Sequence, residues 1–364
     1  MGSVWGNRLK ISVFGESHGE GVGVVIDGFP AGFKVDFEYI NNFLKRRAPG
    51  NKLADISTSR SESDIPEILS GIKNNFTTGA PICAFIKNNN AHSLDYRESL
   101  INPRPSHADY NAYIKYNGYA DQRGGGHFSG RLTAPLVFAG ALCADYLEKK
   151  YNLKIGAHIK RAGDITDDCI DYSDADSSLA GIADTLKQSE IPMINKDKAN
   201  EFREFISKVK AGGDSVGAII ECFALNVPLS IGEHMFASVE ANIASCVFGI
   251  PGVKGIEFGK GFELAGMKGS EANDEFYYDT DGRVRTKTNN NGGIIGGMTS
   301  GMPVIFSVVL KPTPSIFLDQ NTINIDYKTN EKMTIKGRHD PCIGLRAVPV
   351  IEAVTAIAFA DLIL

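Results

Sequence analysis

Apolar and polar residues alternate over Lys10–Phe14 and again over Gly21–Asp27, with the turn Gly15-Glu16-Ser17-His18-Gly19 between, which predicts two strands joined by a tight connection. Gly28-Phe29-Pro30-Ala31-Gly32 closes the second strand, and Asp36–Arg47 reads as a polar–apolar helix. Ala48–Asp64 is rich in Pro, Gly, Ser and charge and has no period, so it reads as a long loop of the kind that is usually functional or mobile. Further on, Ala80–Lys87 predicts a strand, and Leu132–Leu153 is apolar on enough sides to be a buried helix. Strands are expected at Lys154–Lys160, Val216–Ala224 and Pro303–Leu310. Helices are expected at Glu201–Lys210, Met235–Phe248 and Val348–Ile363, and the stretch up to Lys198 is polar.

Val22–Pro30, VGVVIDGFP, resembles Val216–Ala224, VGAIIECFA, and each is followed by a turn and an amphipathic helix. That similarity predicts an internal structural repeat, whose two copies would form one sandwich of sheets and helices with a site between the halves. No low-complexity linker divides residues 1–364, which predicts a single domain.

The chain of 364 residues, 43% apolar, has ample material for a core. Its formal net charge of −5 argues against a protein built to neutralise a nucleic-acid backbone or an anionic membrane, so any anion site has to be local. Six scattered cysteines without C-x-x-C pairs read as reduced thiols, and no metal site is expected. Met1–Lys10 lacks the apolar core of a signal peptide, and no apolar run approaches the roughly 20 residues of a membrane span, which makes the cytoplasm the expected location.

Six polar clusters carry the candidate chemistry. Gly15–Gly19 ends a strand and presents Ser17 and His18 where glycines admit close approach; an ordinary strand-ending turn has the same letters. Pro103–Tyr110 sets Arg104 between prolines shortly before His107, as a stiffened surface loop also would. Arg123–Arg131 brings a glycine run, His127, Phe128, Ser129 and two arginines to the start of a buried helix, where phosphate or carboxylate would be favoured. It matches neither a dinucleotide fingerprint nor a Walker loop. Asn289–Gly297 and Lys311-Pro312-Thr313-Pro314-Ser315 bracket a strand as backbone-rich cradles or plain turns. Gly337-Arg338-His339-Asp340-Pro341 crowds three ionisable side chains before a proline, which suits a site better than a surface salt-bridge corner.

Taken in order, GESHG, PRPSHADY, the RGGG-x-x-S-x-R run, KPTPS and GRHDP, with a closing helix over Arg346–Leu364, resemble the chorismate synthase family along nearly the whole chain. The resemblance implies an α+β fold, a β-α-β sandwich with helices packed between and against antiparallel sheets. It also implies the anti 1,4-elimination of phosphate from 5-enolpyruvylshikimate 3-phosphate, giving chorismate for aromatic amino acid biosynthesis, with reduced FMN required and no net redox change. NADPH would enter only if the protein reduces its own flavin, and a homotetramer is implied.

By that resemblance His18 is the acid facing the leaving phosphate, His107 protonates or stabilises reduced flavin, and Asp340, with Ser17 and Ser129 as relays, manages the proton at flavin N5. A substrate with two carboxylates and a phosphate needs charge-assisted, often bidentate, partners; Arg46, Arg47, Lys52, Arg104, Arg131 and Arg338 are the candidates. Flavin contacts carry over to His127, Phe128, Ser129, Gly252, Gly296, Lys311, Pro312, Thr313, Pro314, Ser315 and Arg338. The chain departs from the family where R-S-S-A-R-E is common and His127–Leu132 stands, at Pro251 in place of a usual asparagine, and at Leu53 in place of a frequent basic residue. The alternatives are a flavin reductase or other FMN-dependent oxidoreductase, and a non-catalytic anion-binding protein.

Overall fold

A computed structural model describes the chain apart from residues 1, 49–52, 59–62, 89–100, 173–175, 336 and 338, and the side chains of 176 and 177. Val4–Trp5 (β1), Lys10–Gly15 (β2), Gly21–Asp27 (β3), Glu67–Ser70 (β4) and Ile82–Lys87 (β5) form an antiparallel sheet in the order β1-β2-β3-β5-β4. Phe37–Arg47 (α1), Asp109–Lys115 (α2) and Thr133–Tyr151 (α3) accompany it. A second antiparallel sheet holds Lys154–Ala162 (β6), Ile165–Thr166 (β7), Ala218–Leu225 (β8), Val253–Phe258 (β9) and Val304–Leu310 (β10), in the order β9-β10-β8-β6-β7. Its helices are Asp176–Gln188 (α4), Lys196–Ala211 (α5), Val239–Val247 (α6) and Gly344–Ile363 (α7), and a hairpin of Gln320–Asn324 (β11) and Thr329–Met333 (β12) precedes α7.

The repeat expected from Val22–Pro30 and Val216–Ala224 is present in full. The units β2-β3-α1-β4-β5-α3 and β6-β8-α6-β9-β10-α7 run strand, strand, helix, strand, strand, helix, and both sheets place their strands in the spatial order first, second, fourth, third. The inward residues of β3, Val22, Val24 and Ile26, and the apolar faces of α3 and α7 belong to one core that reaches both sheets. The helices therefore form the middle layer of a β-α-β sandwich. At the crossing of α3 and α7, a Cβ on Gly140 would lie 2.3 Å from the Ala353 carbonyl oxygen, so only glycine lets the two repeats approach this closely.

Local chemistry sets the boundaries. Asp36 caps α1 by accepting from the amides of Glu38 and Tyr39, while Lys45, Arg46 and Arg47 complement its C-terminal end. The helix expected over Met235–Phe248 begins later, because Ser238 Oγ accepts from Ala241 N at 3.1 Å and caps α6. Residues Met235–Ala237 form a separate 3₁₀ turn. The polar stretch before Lys198 contains α4, whose Leu179, Ala183 and Leu186 lie on one buried stripe against Phe223, Leu225 and Ile305.

On the outer face of the second sheet, beneath the segment carrying α4, His158 is fully buried between two carboxylates, Asp167 at 2.9 Å and Glu221 at 3.3 Å. Glu221 also takes Lys160 at 2.6 Å and the Tyr172 hydroxyl at 2.7 Å. Burial alone would lower the His158 pKa, but hydrogen bonds to Asp167 and Glu221 outweigh it and raise it above 6.5. Burial opposes charge on Glu221 too, yet His158 and Lys160 bring its pKa down to about 2. A histidine with a raised folded pKa contributes stability that is complete below its unfolded value and is lost as pH rises through the folded one. Thermal melts from pH 6 to pH 10 are therefore expected to show a fall in Tm that His158→Gln flattens; an unchanged slope in the variant would mean that His158 is not the group responsible.

Candidate active site

Both repeats contribute polar loops to the candidate site. The Gly15–Gly19 turn leaves β2 and is held by Asn88, whose Nδ2 donates to the carbonyls of Glu16 at 2.9 Å and Gly19 at 3.0 Å. Within it, Ser17 Oγ donates to the Arg123 carbonyl at 3.2 Å and lies 3.2 Å from His18 Nδ1. A carbonyl can only accept, so the serine hydroxyl proton points at Arg123 and its oxygen is left to accept from Nδ1–H of His18.

The glycine run packs directly on this histidine. Gly124, Gly125 and Gly126 have φ of 62°, 91° and 53°, a left-handed stretch that residues with a Cβ resist. A Cβ on Gly124 would stand 2.0 Å from His18 Cε1, and one on Gly126 would stand 1.8 Å from the Asp121 carbonyl oxygen. Gly125 approaches the Arg104 guanidinium, whose Nε and Nη2 form a two-pronged pair with Asp109 at 2.7 and 2.8 Å.

Beyond Arg104 lies His107. Its Nδ1 is 3.0 Å from the Pro105 carbonyl and its Nε2 is 2.8 Å from Ser315 Oγ, so Nδ1 carries the proton and Nε2 accepts from the serine. Burial and the nearby Arg104 and Lys311 lower the His107 pKa to about 4, and the ring is neutral near pH 7. Lys311 Nζ donates to the Ser106 carbonyl at 2.6 Å, its own pKa lowered by burial and by Lys254, and its backbone amide donates to Gly252 O at 2.9 Å.

Ser315 is shared with a cavity whose wall includes Thr58, Lys210, Phe317, His339 and Asp340. Asp340 accepts from the Thr58 amide at 2.9 Å and from Arg346 Nη1 at 2.7 Å. Helix α5 braces this wall: Lys210 Nζ donates to the carbonyls of Ala54 and Ser57, and Arg203 pairs with Asp55.

Two of the arginines expected to meet a polyanion converge on a residue outside the motifs. Asp64 gives one carboxylate oxygen to Arg47 and the other to Arg131; Asp64 and Arg47 are 2% exposed and Arg131 is 8% exposed. Burial would raise the Asp64 pKa, and the two guanidinium groups hold it below the usual carboxylate range instead. Arg131 continues to Asn88 Oδ1 at 3.0 Å, and the Arg47 carbonyl accepts from Arg346 Nε at 3.0 Å. Hydrogen bonds thus run unbroken from the His18 turn through Asn88, Arg131, Asp64, Arg47 and Arg346 to Asp340.

Other expected residues lie elsewhere. Arg46 leaves α1 on a different side from Arg47, forms a two-pronged pair at 2.5 and 2.9 Å with the buried Glu352 of α7, and stacks on Phe43. His127 bonds the Gly15 carbonyl and Ser3 Oγ, Phe128 packs on Tyr116, and Ser129 Oγ caps the turn into α3 through Arg131 N. Gly296 forms the turn of a small hairpin over Ile294–Thr299. Lys52 and Arg338 lie outside the described residues. Sequence reasoning missed Asp64, Asn88 and Arg346; Asp109 stood inside a motif as the obvious counter-ion for Arg104 and was not singled out.

A β-α-β sandwich of two repeats, with buried arginines and an aspartate along one hydrogen-bonded seam that starts at the His18 turn, and with His107 held separately by Pro105 and Ser315, defines an enzyme-like site. The chain matches the chorismate synthase family over residues 9–364. It is 43% identical to a chorismate synthase of Dehalococcoides mccartyi, covering 100% of this chain and 97% of that one, and 45% identical to one of Pyrococcus abyssi, covering 98% and 96%. A crystal structure of chorismate synthase superposes with a TM-score of 0.75 at 30% identity, covering 98% of this chain and 92% of the other. The chain belongs to the chorismate synthase family.

Because a Cβ on Gly124 would overlap the His18 ring, Gly124→Ala is expected to push the imidazole out of place. A displacement of about 1 Å at a reacting group costs on the order of 10²-fold in rate. Turnover should fall by that order with Tm changed by only a few degrees, and wild-type turnover in the folded variant would remove Gly124 from the site.

Proposed function

We propose that this protein is a chorismate synthase in activity, eliminating phosphate from 5-enolpyruvylshikimate 3-phosphate in the presence of reduced FMN. The observation that carries the reading is the continuous seam from His18 to Asp340 with Arg47 and Arg131 at its centre. Membership of the family supports the same reaction.

The residues fit a flavin. Among the described residues, Asn102 Oδ1, Thr313 Oγ1 and Gln320 Nε2, like Glu240 Oε2 elsewhere, are buried polar atoms with no hydrogen-bond partner. Buried polar groups are nearly always satisfied, and the Thr313 hydroxyl, inside the Lys311–Ser315 segment, is one that a polar ligand edge would match. Lys311 to Ser315, with Gly252, would hold the flavin against His107. Bound there, reduced FMN would supply electron density for the elimination, with no net redox change.

The protein's own groups then have separable tasks. Arg47 and Arg131, with Arg104 close by, bind the anionic groups of the substrate. His18, with Nδ1–H fixed by Ser17, offers its Nε2 proton to the leaving phosphate, a poor leaving group when fully ionised. His107 is held neutral by burial and by its cationic neighbours, and a negative charge placed beside it raises its proton affinity, so it is poised to stabilise an anionic ring. Asp340, steadied by Thr58 N and Arg346, would accept the proton that the reaction releases.

The six free thiols agree with a reducing cytoplasm. A homotetramer is the expected assembly, and exposed apolar side chains such as Phe236 and Phe262, 91% and 84% exposed in the chain alone, are available to an interface.

Anaerobic mixing with chemically reduced FMN and 5-enolpyruvylshikimate 3-phosphate should release phosphate and chorismate in equal amounts. Removing a general acid or base typically costs about 10²–10⁴-fold, so His18→Ala and Asp340→Ala should lower kcat by that order while the fold is kept. No product from the wild-type protein sinks the proposal, and matching losses of activity and Tm would return the two residues to structural roles.

A further inference from the structure

Asp64 belongs to none of the sequence motifs and touches none of the proposed reacting atoms, yet its surroundings are unlike those of a surface loop. It is 2% exposed, faces two buried guanidinium groups, and has φ of 44°, in the left-handed region that a non-glycine residue occupies at a cost. A strained, buried carboxylate persists only where its surroundings fix it, and such residues concentrate at functional sites.

Its two partners come from different parts of the first repeat, Arg47 from the end of α1 and Arg131 from the turn entering α3. Arg47 is further fixed by Thr133 Oγ1 at 3.2 Å from Nε, and Thr133 Oγ1 in turn donates to Gly130 O at 2.6 Å. Without a shared anion, two like charges at this separation would repel and move apart. With it, they form one rigid cationic unit, joined on one side to the His18 turn through Asn88 and on the other to Asp340 through Arg346.

We propose that Asp64 is the positioning residue for the substrate: by clamping Arg47 and Arg131 together it sets the bound anion between His18 and Asp340. The inference rests on the elimination reaction proposed above. Its signature is a loss of substrate affinity with flavin affinity untouched, since the Lys311–Ser315 segment and His107 are held by contacts that do not pass through Asp64.

The test uses the full-length protein with chemically reduced FMN, comparing wild type, Asp64→Asn and Asp64→Glu. Asparagine keeps the shape and removes the charge, and glutamate keeps the charge but shifts it by one methylene. For a charge-assisted contact that is misplaced, a tenfold or larger rise in KM for 5-enolpyruvylshikimate 3-phosphate is expected. The kcat should fall as well, because the bound anion is no longer set against His18, while the FMN dissociation constant, read by fluorescence, stays within about twofold. Wild-type KM in either folded variant, or parallel weakening of flavin and substrate, overturns the assignment. Should Asp64→Asn fail to fold, Asp64→Glu carries the same readout. A wild-type protein that makes no chorismate refutes the underlying reaction; a wild type that turns over beside variants with unchanged KM refutes only the role of Asp64.

Discussion

The geometry of the site depends on one buried ionic contact, the Asp64 carboxylate between Arg47 and Arg131. Removing one member of such a group leaves a desolvated charge behind and costs about 3–5 kcal/mol, whereas replacing the whole group with apolar side chains is often neutral or better. Stability alone therefore gives little reason to keep it. What it provides is register: it locks the end of α1 to the start of α3 and fixes the distance between loops that arrive from opposite ends of the chain.

That register operates within a frame built by duplication. Each repeat contributes a four-stranded core to its sheet and a long apolar helix to the middle layer, and the helices meet closely enough to require Gly140 at Ala353. The polar loops leave this rigid frame on one seam: Gly15–Gly19 and Gly124–Arg131 from the first repeat, Lys311–Ser315 and Gly337–Arg346 from the second. The candidate site then sits between the repeats, each of which holds only some of its residues. The asymmetric additions matter as well, since α4 and α5 interrupt the second repeat and α5 braces the Ala54–Ser57 turn against the cavity wall.

Much of the frame is legible in the sequence because its strands and central helices carry strong periods. The similarity of VGVVIDGFP to VGAIIECFA marks the two equivalent central strands, β3 and β8. Helix α4 was hidden by its composition, as only Leu179, Ala183 and Leu186 mark its buried stripe. Helix α7 was expected to start at Val348, with Pro349 near its first turn; it starts at Gly344 and carries the proline inside. The motif histidines and Asp340 could be named from local letters. Asp64 could not, because a carboxylate in an aperiodic loop has no local signature and its partners are 17 and 67 residues away. Arg46 and Arg47 show the same limit from the other side: adjacent letters suggest one task, and the helix sends one to Glu352 and the other to Asp64.

The most direct test is a crystal structure of the protein with oxidised FMN and 5-enolpyruvylshikimate 3-phosphate bound together. The account places an anionic group of the substrate on the Arg47–Arg131 pair with Asp64 unmoved, a phosphate oxygen within hydrogen-bonding distance, roughly 3 Å, of His18, and the flavin ring between His107 and Asp340. A substrate bound away from the arginine pair, or an Asp64 that releases either guanidinium when the site fills, would contradict it.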